Sequence, residues 1–255
     1  MIQPLITIIT VVYNGVSSIG KTIRSVIGQT YPAIEYIIID GGSTDGSVEI
    51  ITNYETKFGI GQLHITKWLS ERDTGLYNAM NKGVKMATGE WICFLNSGDV
   101  FVDRGSVQKI VQAMQDGIDP QSPAIFYGNI LIQNADGTYR EKIAQEPCNS
   151  HRMYFCHQSA FVKTSLLHQY PFDERHRMSA DLKFFKQCYY DDRRFFHANF
   201  PVVIYDTSGI SNTQRQSGLR DNIAVIKSID KGFDKYKFLL RLYFTIYWRK
   251  LTGKS

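Results

Sequence analysis

The chain has 255 residues, 43% of them hydrophobic and 21% charged, which excludes a disordered or fibrous polymer. A chain of this length buries about 70–75% of its unfolded surface and needs no disulfide or metal to fold. The net charge of +5 is concentrated at one end: six basic residues and no acidic one lie between Lys235 and Ser255, leaving 23 basic against 24 acidic residues elsewhere. A body so balanced argues against nucleic acid as a partner. Cys93, Cys148, Cys156 and Cys188 form no CxxC pair and read as reduced, buried thiols. The first residues lack a basic n-region and a cleavage site, and no apolar run reaches bilayer-spanning length, so the expected location is cytoplasmic.

In chain order, LITIITVV (5–12) is a continuous apolar, β-branched run of the kind that a doubly covered parallel strand shows. Ile19, Ile23, Val26 and Ile27 then repeat at helical spacing, and IEYIIID (34–40) is a second buried strand. A Gly-Gly-Ser-Thr-Asp-Gly loop leads into a helix over 47–57, and residues 63–69 suggest a third strand. Asp73 to Ala87 reads as a helix after an opening turn, and WICFLN (91–96) as a fourth strand. Strands alternating with helices imply an α/β sheet with right-handed crossovers. The second half is less regular. A hairpin across Asn-Ala-Asp-Gly (134–137), a strand-to-helix passage at SAFVKTSLL, an amphipathic helix ADLKFFKQCYY and a strand FFHANFPVVIYDT are expected. TSGISNTQRQSG (207–218), rich in Ser, Thr, Gly, Asn and Gln, reads as a loop.

Asp40, Asp73 and Asp99 fall at the carboxyl ends of predicted strands or beside them, the edge where open α/β sheets bind ligands. One such Asp is commonly a helix cap or a turn former; three in a hundred residues favour a site. GxGxxG and GxxxxGK[ST] are both absent, so phosphate charge has to be met another way, for which a carboxylate-held divalent cation is the natural candidate.

ITVVYNG, IIIDGGSTDGS and NAMNKGVKMATGEWICFLNSGD resemble, in order and spacing, the successive blocks of family-2 glycosyltransferases with the GT-A fold. SERDTGLYNAMNKG with FLNSGD is similar to a subgroup from bacterial exopolysaccharide and O-antigen biosynthesis. The resemblance covers residues 5–100 and returns at FCHQSAFV and SADLKFF. It implies a Rossmann-like, mostly parallel central sheet flanked by helices. The expected division is a transferase domain over 1–234, with 1–102 binding the nucleotide-sugar and 103–234 facing the acceptor, followed by a basic aromatic tail over 235–255.

The same resemblance assigns roles. Asp40 accepts a hydrogen bond from a nucleobase ring N–H, with Gly41 standing where the family has a second carboxylate. Asn96-Ser97-Gly98-Asp99 replaces Asp-x-Asp-Asp, so Asp99 alone holds the Mn²⁺ or Mg²⁺, and Asn96 is a neutral oxygen ligand or a ribose contact. Asp73 belongs to the donor site; Arg72 and Lys82 could neutralise diphosphate, though surface cations are usually only solvated. Asp181, opening a late helix, takes the acceptor proton, with Asp173 and Glu174 as fallbacks; a first-turn helical Asp is the bland alternative. His157 lines the acceptor pocket or is a hydrogen-bonded core histidine. Gln214-Arg215 lacks the tryptophan of the processive Gln-x-x-Arg-Trp signature, which argues for transfer of a single sugar.

The activity implied is inverting transfer from a UDP- or GDP-linked sugar to a lipid-linked oligosaccharide at the inner membrane face. The alternatives are a sugar nucleotidyltransferase, whose basic glycine-rich phosphate loop is missing here, and a catalytically silent nucleotide-sugar binder. The tail, KYKFLLRLYFTIYWRKLTGKS, has the composition of an interfacial anchor for anionic lipid or of a helix docked on the body.

Overall fold

The computed structural model describes residues 3–56, 64–116 and 123–252; Lys57, Leu63 and Lys254, which the sequence reading placed in a helix, a strand and the tail, lie outside them. The first half holds β1 (Ile6–Val12), α1 (Ile19–Ile27), β2 (Ile34–Asp40), α2 (Ser47–Thr56), β3 (Lys67–Ser70), α3 (Leu76–Met86), β4 (Trp91–Phe94) and β5 (Val100–Phe101). After it come α4 (Ser106–Asp116), β6 (Ile125–Gln133), β7 (Tyr139–Lys142), a 3₁₀ turn (His157–Ser159), β8 (Ala160–Lys163) and α5 (Thr164–Gln169). The chain continues through α6 (Ala180–Tyr190), β9 (Phe195–Tyr205), α7 (Ile210–Thr213), α8 (Arg215–Ile229) and α9 (Gly232–Leu251).

The strands join in the order β3-β2-β1-β4-β8-β6-β9-β5, with β7 paired to β6. β3, β2, β1 and β4 are parallel, and β8 pairs antiparallel with both β4 and β6. Every residue of β1 and β2 is buried, because successive side chains enter two different cores. Ile8 and Ile38 pack with α1 and α4, whereas Ile9 and Ile39 pack with α3, α5 and α6. Burial on both faces explains why these strands read as unbroken apolar runs. The parallel register places Val12 opposite Asp40 and Asp40 opposite Ser70, so the polar residues that end these strands share one edge.

One sequence expectation changes. TSGISNTQRQSG is not a loop: it contains α7 and the start of α8. Its last four residues form the first turn of α8, whose Ile223, Val225 and Ile226 are buried further along. The helix expected from Asp73 opens at Leu76, after Gly75 takes a φ of +149°. The tail is helical from Gly232, and it docks on α8 through Phe238 and Leu242 while leaving a second apolar stripe exposed. The hairpin forms as expected, with Gly137 at φ +84° and Asp136 accepting hydrogen bonds from the backbone N–H and hydroxyl of Thr138.

Candidate active site

A cleft of about 1020 Å³ opens at the carboxyl edge of β1 and β4 and is closed by β7, the 3₁₀ turn, the start of α6 and the segment after β9. Its first wall is the loop after β1. Asn14 takes a left-handed φ of 49° there, and its amide oxygen accepts from the Thr44 N–H at 3.0 Å. Its own N–H donates to Ser43 Oγ at 2.7 Å, and the Gly15 N–H donates to Ser47 Oγ at 2.9 Å. These cross-braces leave Tyr13 on the cleft wall, 69% exposed.

Asp40 is fully buried, and its carboxylate accepts from the N–H groups of Gly42 and Ser43 at 3.1 and 3.0 Å, from Ser70 Oγ at 2.6 Å, and from Ser43 Oγ. The chain's own donors therefore fill it, and it is not among the side chains that line the cleft. Asp73 and Lys82 also stand outside the lining. The Lys82 ammonium is held at 2.6 Å by Asp73 and at 2.8 Å by Glu71, so its charge is matched twice. Free neutralisation of a diphosphate does not fit that pairing. Gly41 lies between these groups: a Cβ there would come 2.8 Å from Asp73 Oδ2 and 3.4 Å from Tyr13 Cδ2.

Asp99 lines the cleft at 3% exposure, and burial pushes its carboxyl up to about 7 against the opposing pull of the Asp206 N–H and of His157. That N–H reaches Asp99 Oδ1 at 2.8 Å. The Asp206 side chain faces the same turn, its Oδ1 accepting from the Ser208 N–H at 2.8 Å and its Oδ2 lying 3.2 Å from Lys21 Nζ. Gly98, at φ +106°, makes room for it, since a Cβ on residue 98 would overlap Asp206 Oδ2. A second carboxylate, from the residue that follows β9, therefore stands beside this turn. Sequence reading did not assign Asp206, although its signal, an Asp ending a long apolar strand, is the one that singled out Asp40 and Asp99.

Asp181 and His157 line the same cleft. Asp181 Oδ2 lies 3.0 Å from His157 Nδ1, while its Oδ1 accepts from Tyr77 OH and from the Leu182 N–H, each at 2.8 Å. Burial pushes this carboxyl up, but His157, Tyr77 and the N–H outweigh it and hold it below the ordinary carboxylate value. Asn96 Nδ2 is 3.5 Å from His157 Nε2, and the buried Asn96 Oδ1 has no hydrogen-bond partner. The two fallback carboxylates are engaged elsewhere: Asp173 with Arg175 at 2.7 Å and Lys183 at 2.6 Å, and Glu174 with Asn78 and Asn81, each at 3.0 Å. The structure thus brings Asn96, Asp99, His157 and Asp181 into one cleft and leaves Asp40, Asp73 and Lys82 outside its lining. Arg140, Lys142, Arg177 and Arg215 add positive charge to the rim, from elements too dispersed in sequence to form a motif.

A sheet of this order with a carboxylate-lined cleft at the β1–β4 edge can now be set beside known proteins. The model of the family described as Glycosyl transferase family 2 matches residues 7–170. The chain belongs to this family. A PGL/p-HBAD biosynthesis glycosyltransferase of Mycobacterium bovis is 27% identical over 225 residues, covering 84% of this chain and 81% of the relative. The putative teichuronic acid biosynthesis glycosyltransferase TuaG of Bacillus subtilis is 30% identical over 145 residues, 57% of this chain and 54% of its own. Among solved structures, S. aureus TarS 1-349 superposes with a TM-score of 0.67 at 18% identity, covering 94% of this chain and 72% of TarS. The mannosyltransferase PcManGT from Pyrobaculum calidifontis, solved with GDP-Man and Mn²⁺, gives 0.70 at 16% identity, covering 95% of this chain and 70% of its own. At these identities the superpositions establish the GT-A fold.

In this family-2 chain, the glycines at positions 41 and 98 both stand against acidic side chains. Asp206 stands against Gly98, and Tyr13 and Asp73 crowd Gly41. Among the described residues no group of three or more His, Cys, Asp or Glu side chains forms a ready metal cage.

Proposed function

We propose that this glycosyltransferase is an inverting, metal-dependent enzyme that moves one sugar from a nucleotide-diphospho-sugar to a lipid-linked glycan in surface polysaccharide biosynthesis. The observation that carries the reading is the gathering of two carboxylates, Asp99 and Asp206, and the Asp181–His157 pair in one cleft. A divalent ion fits the first two. Asp99 is buried with a raised pKa and accepts from the Asp206 N–H, and the Asp206 side chain stands in the space that the missing Gly98 side chain leaves. Oxygen donors of this kind suit Mg²⁺ or Mn²⁺. Asp99 and Asp206 would hold the ion, which when bound would supply positive charge to the departing diphosphate. The neighbour solved with Mn²⁺ and GDP-Man, and TarS solved with UDP-GlcNAc, support a metal and a nucleotide-sugar donor.

The chain's own residues cover the remaining needs. The unpartnered Asn96 Oδ1 calls for a donor, and a ribose hydroxyl supplies one. Asp40 fixes the loop over residues 41–43, and Asp73 backs Gly41 beside Tyr13, so both shape the nucleobase end without offering a free carboxylate. The rim cations face the phosphates. Residues 1–102, joined by Asp206 and the rim cations of the second half, then serve the donor, and the rest of 103–234 serves the acceptor, whose hydroxyl loses its proton at the Asp181–His157 pair. Relatives named for glycolipid and teichuronic acid biosynthesis support a cell-envelope acceptor.

The tail is read as a peripheral anchor on anionic lipid. No helix among the described residues is long and apolar enough to cross a membrane. Away from α8, however, α9 exposes Phe233, Leu240, Phe244, Tyr247 and Leu251, each by more than 60%. This stripe is interleaved with Lys237, Arg241 and Lys250, the composition of an interfacial helix.

Calorimetry of UDP-GlcNAc and GDP-mannose with and without Mn²⁺, followed by assay for free nucleotide diphosphate, tests the reading. Metal-dependent binding with nucleotide release supports it. Binding without release leaves a silent binder, and no binding of either refutes it.

A further inference from the structure

We infer that Arg140 and Lys142, the two cations that β7 turns toward the cleft, also bind a phosphate group carried by the acceptor. The inference rests on the transferase reading and deepens it by naming the chemistry that the acceptor brings.

The first support is how β7 presents its side chains. In the β6–β7 ladder Lys142 lies opposite Ile130, and Arg140 opposite Ile132. Residues opposite one another share a face of the sheet, as do alternate residues of one strand. All four line the cleft, so both cations face it. Glu141, between them, points to the other face, where its carboxylate accepts from Asn129 Nδ2 at 2.7 Å. Two residues of strand put the cations about 7 Å apart at the backbone, a spacing from which both side chains can close on one anion. A phosphate offers oxygens enough for the guanidinium fork and the ammonium point charge together.

The second support is that the chain leaves these charges unmet. Elsewhere Lys67, Lys82, Lys109, Lys183 and Lys186 each pair with a carboxylate at 2.6–2.9 Å. The side chains of Arg140 and Lys142 have no such partner among the described residues. An exposed, unpaired cation is usually only solvated, but these two stand in a cleft whose charge is out of balance. Besides His157, five basic side chains line it against three acidic ones. A divalent ion and the diphosphate bridge of a nucleotide-sugar carry equal and opposite charge, so loading the donor leaves the surplus in place. An anion on the second substrate removes it.

The third support is position. On its other side β6 pairs with β9, where Ile132 lies opposite Tyr205, the residue before Asp206. Arg140, Ile132 and Tyr205 thus form a row across three strands, with Asp206 beside one end and the β7 cations at the other. Two strand spacings, about 10 Å, separate the ends of that row at the backbone. The donor diphosphate belongs at the Asp206 end, so an anion seated against β7 is a different group. Lys142 is also near the acceptor side: burial and Asp99 push the Cys156 thiol up, and Lys142 opposes that shift, so its field reaches the turn that carries His157.

The test uses the full chain saturated with Mg²⁺ and with UDP or GDP, whichever calorimetry shows to bind, so that the donor's end of the cleft is already filled. Farnesyl diphosphate, glycerol 3-phosphate and, as the uncharged control, farnesol are then titrated in. A phosphate-bearing probe should bind while the nucleotide stays bound, and more weakly at high salt. Binding of farnesyl diphosphate alone places the phosphate at the lipid linkage, and binding of glycerol 3-phosphate places it within the glycan chain; either supports the inference. Arg140→Gln combined with Lys142→Gln should weaken that binding by at least about tenfold, two charge-assisted contacts being lost. Its melting temperature should stay at the wild-type value, since β7 is exposed along its length. The exchange Arg140→Lys with Lys142→Arg, which keeps both charges, should retain most of the affinity. Absence of binding by both phosphate probes, displacement of the nucleotide in place of joint binding, farnesol binding as tightly as farnesyl diphosphate, or undiminished affinity in the double glutamine variant overturns the inference and leaves the transferase reading standing. A wild-type protein that binds neither nucleotide overturns the transferase reading, and this inference with it.

Discussion

Replacing Gly98 with Ala tests how the metal wall is built. Gly98 sits at φ +106°, where an L side chain is strained by about 1–3 kcal/mol. The added Cβ would also overlap Asp206 Oδ2 and press within 3.1 Å of Asp206 Cγ and 3.2 Å of its Cβ. Overpacking of that kind costs about 1–3 kcal/mol more, so a total near 2–6 kcal/mol is expected. In a domain of this size that is a fall of roughly 4–24 °C in melting temperature. The displaced carboxylate should weaken Mn²⁺-dependent nucleotide binding by at least about tenfold, the equivalent of 1.4 kcal/mol. Thermal melts and calorimetry on Gly98→Ala, Asp206→Ala and the double variant form a cycle. Removing the Asp206 carboxylate first should relieve the steric share and leave the backbone share. If Gly98→Ala costs the same in both backgrounds, Asp206 does not occupy the space beside residue 98, and the argument for a carboxylate supplied from β9 fails.

Asp99→Ala should abolish metal-dependent donor binding and leave a folded protein, read by calorimetry with and without Mn²⁺ beside a melting curve. Glu35 is a buried acceptor for Thr7 Oγ1 at 2.6 Å, the Thr88 N–H at 2.7 Å and Lys67 Nζ at 2.8 Å. Burial raises its carboxyl, but these partners outweigh it and the net shift is downward. Its stabilisation is therefore present above the unfolded value of about 4.3 and is lost as pH falls through the lower folded value, so Glu35→Gln should flatten the acid limb of urea stability. Leu240→Glu with Phe244→Glu should keep the melting temperature and lose co-sedimentation with phosphatidylglycerol vesicles; unchanged sedimentation would remove the exposed stripe from the anchor.

Legibility followed burial. The strands covered on both faces, β1, β2 and β4, announced themselves as apolar runs, and the acids that end them marked the ligand edge before any coordinates. α8 did not, because its polar outer face and first turn look like a loop when its partners, α6 and α9, are unknown. The site residues divide in the same way. Asp99, Asn96, His157 and Asp181 lie in segments whose order along the chain resembles the family, and the fold brings them together. Asp40 and Lys82 have equally plausible sequences around them. What distinguishes them is local: Ser43 and Ser70 hydrogen-bond to the first, and Glu71 and Asp73 pair with the second. Asp206 carried the strand-ending signal of Asp40 and Asp99, but its place beside Gly98 did not show in the sequence, since the two positions are more than a hundred residues apart and meet only in the fold.

The helix whose first turn reads as a loop has a structural consequence for the site. Asp221 on α8 accepts from the Met178 N–H at 2.7 Å and lies 3.2 Å from His176 Nδ1, which fixes the turn just before α6 and hence the position of Asp181. Further along, buried Lys186 on α6 pairs with Asp230 at 2.9 Å, and its ammonium lies 5.1 Å from the ring centre of Phe238 on α9. Burial lowers the pKa of Lys186 while Asp230 opposes the shift, so the pair depends on all three helices staying packed. α8 begins at Arg215 on the cleft rim and ends against α9. The helix bearing Asp181 is thereby held at its first turn by α8 and at its last by the junction of α8 with the tail. Disturbance of the tail's buried face, through Phe238 or Leu242, has a continuous packed route to the Asp181–His157 pair, whereas disturbance of its exposed stripe does not.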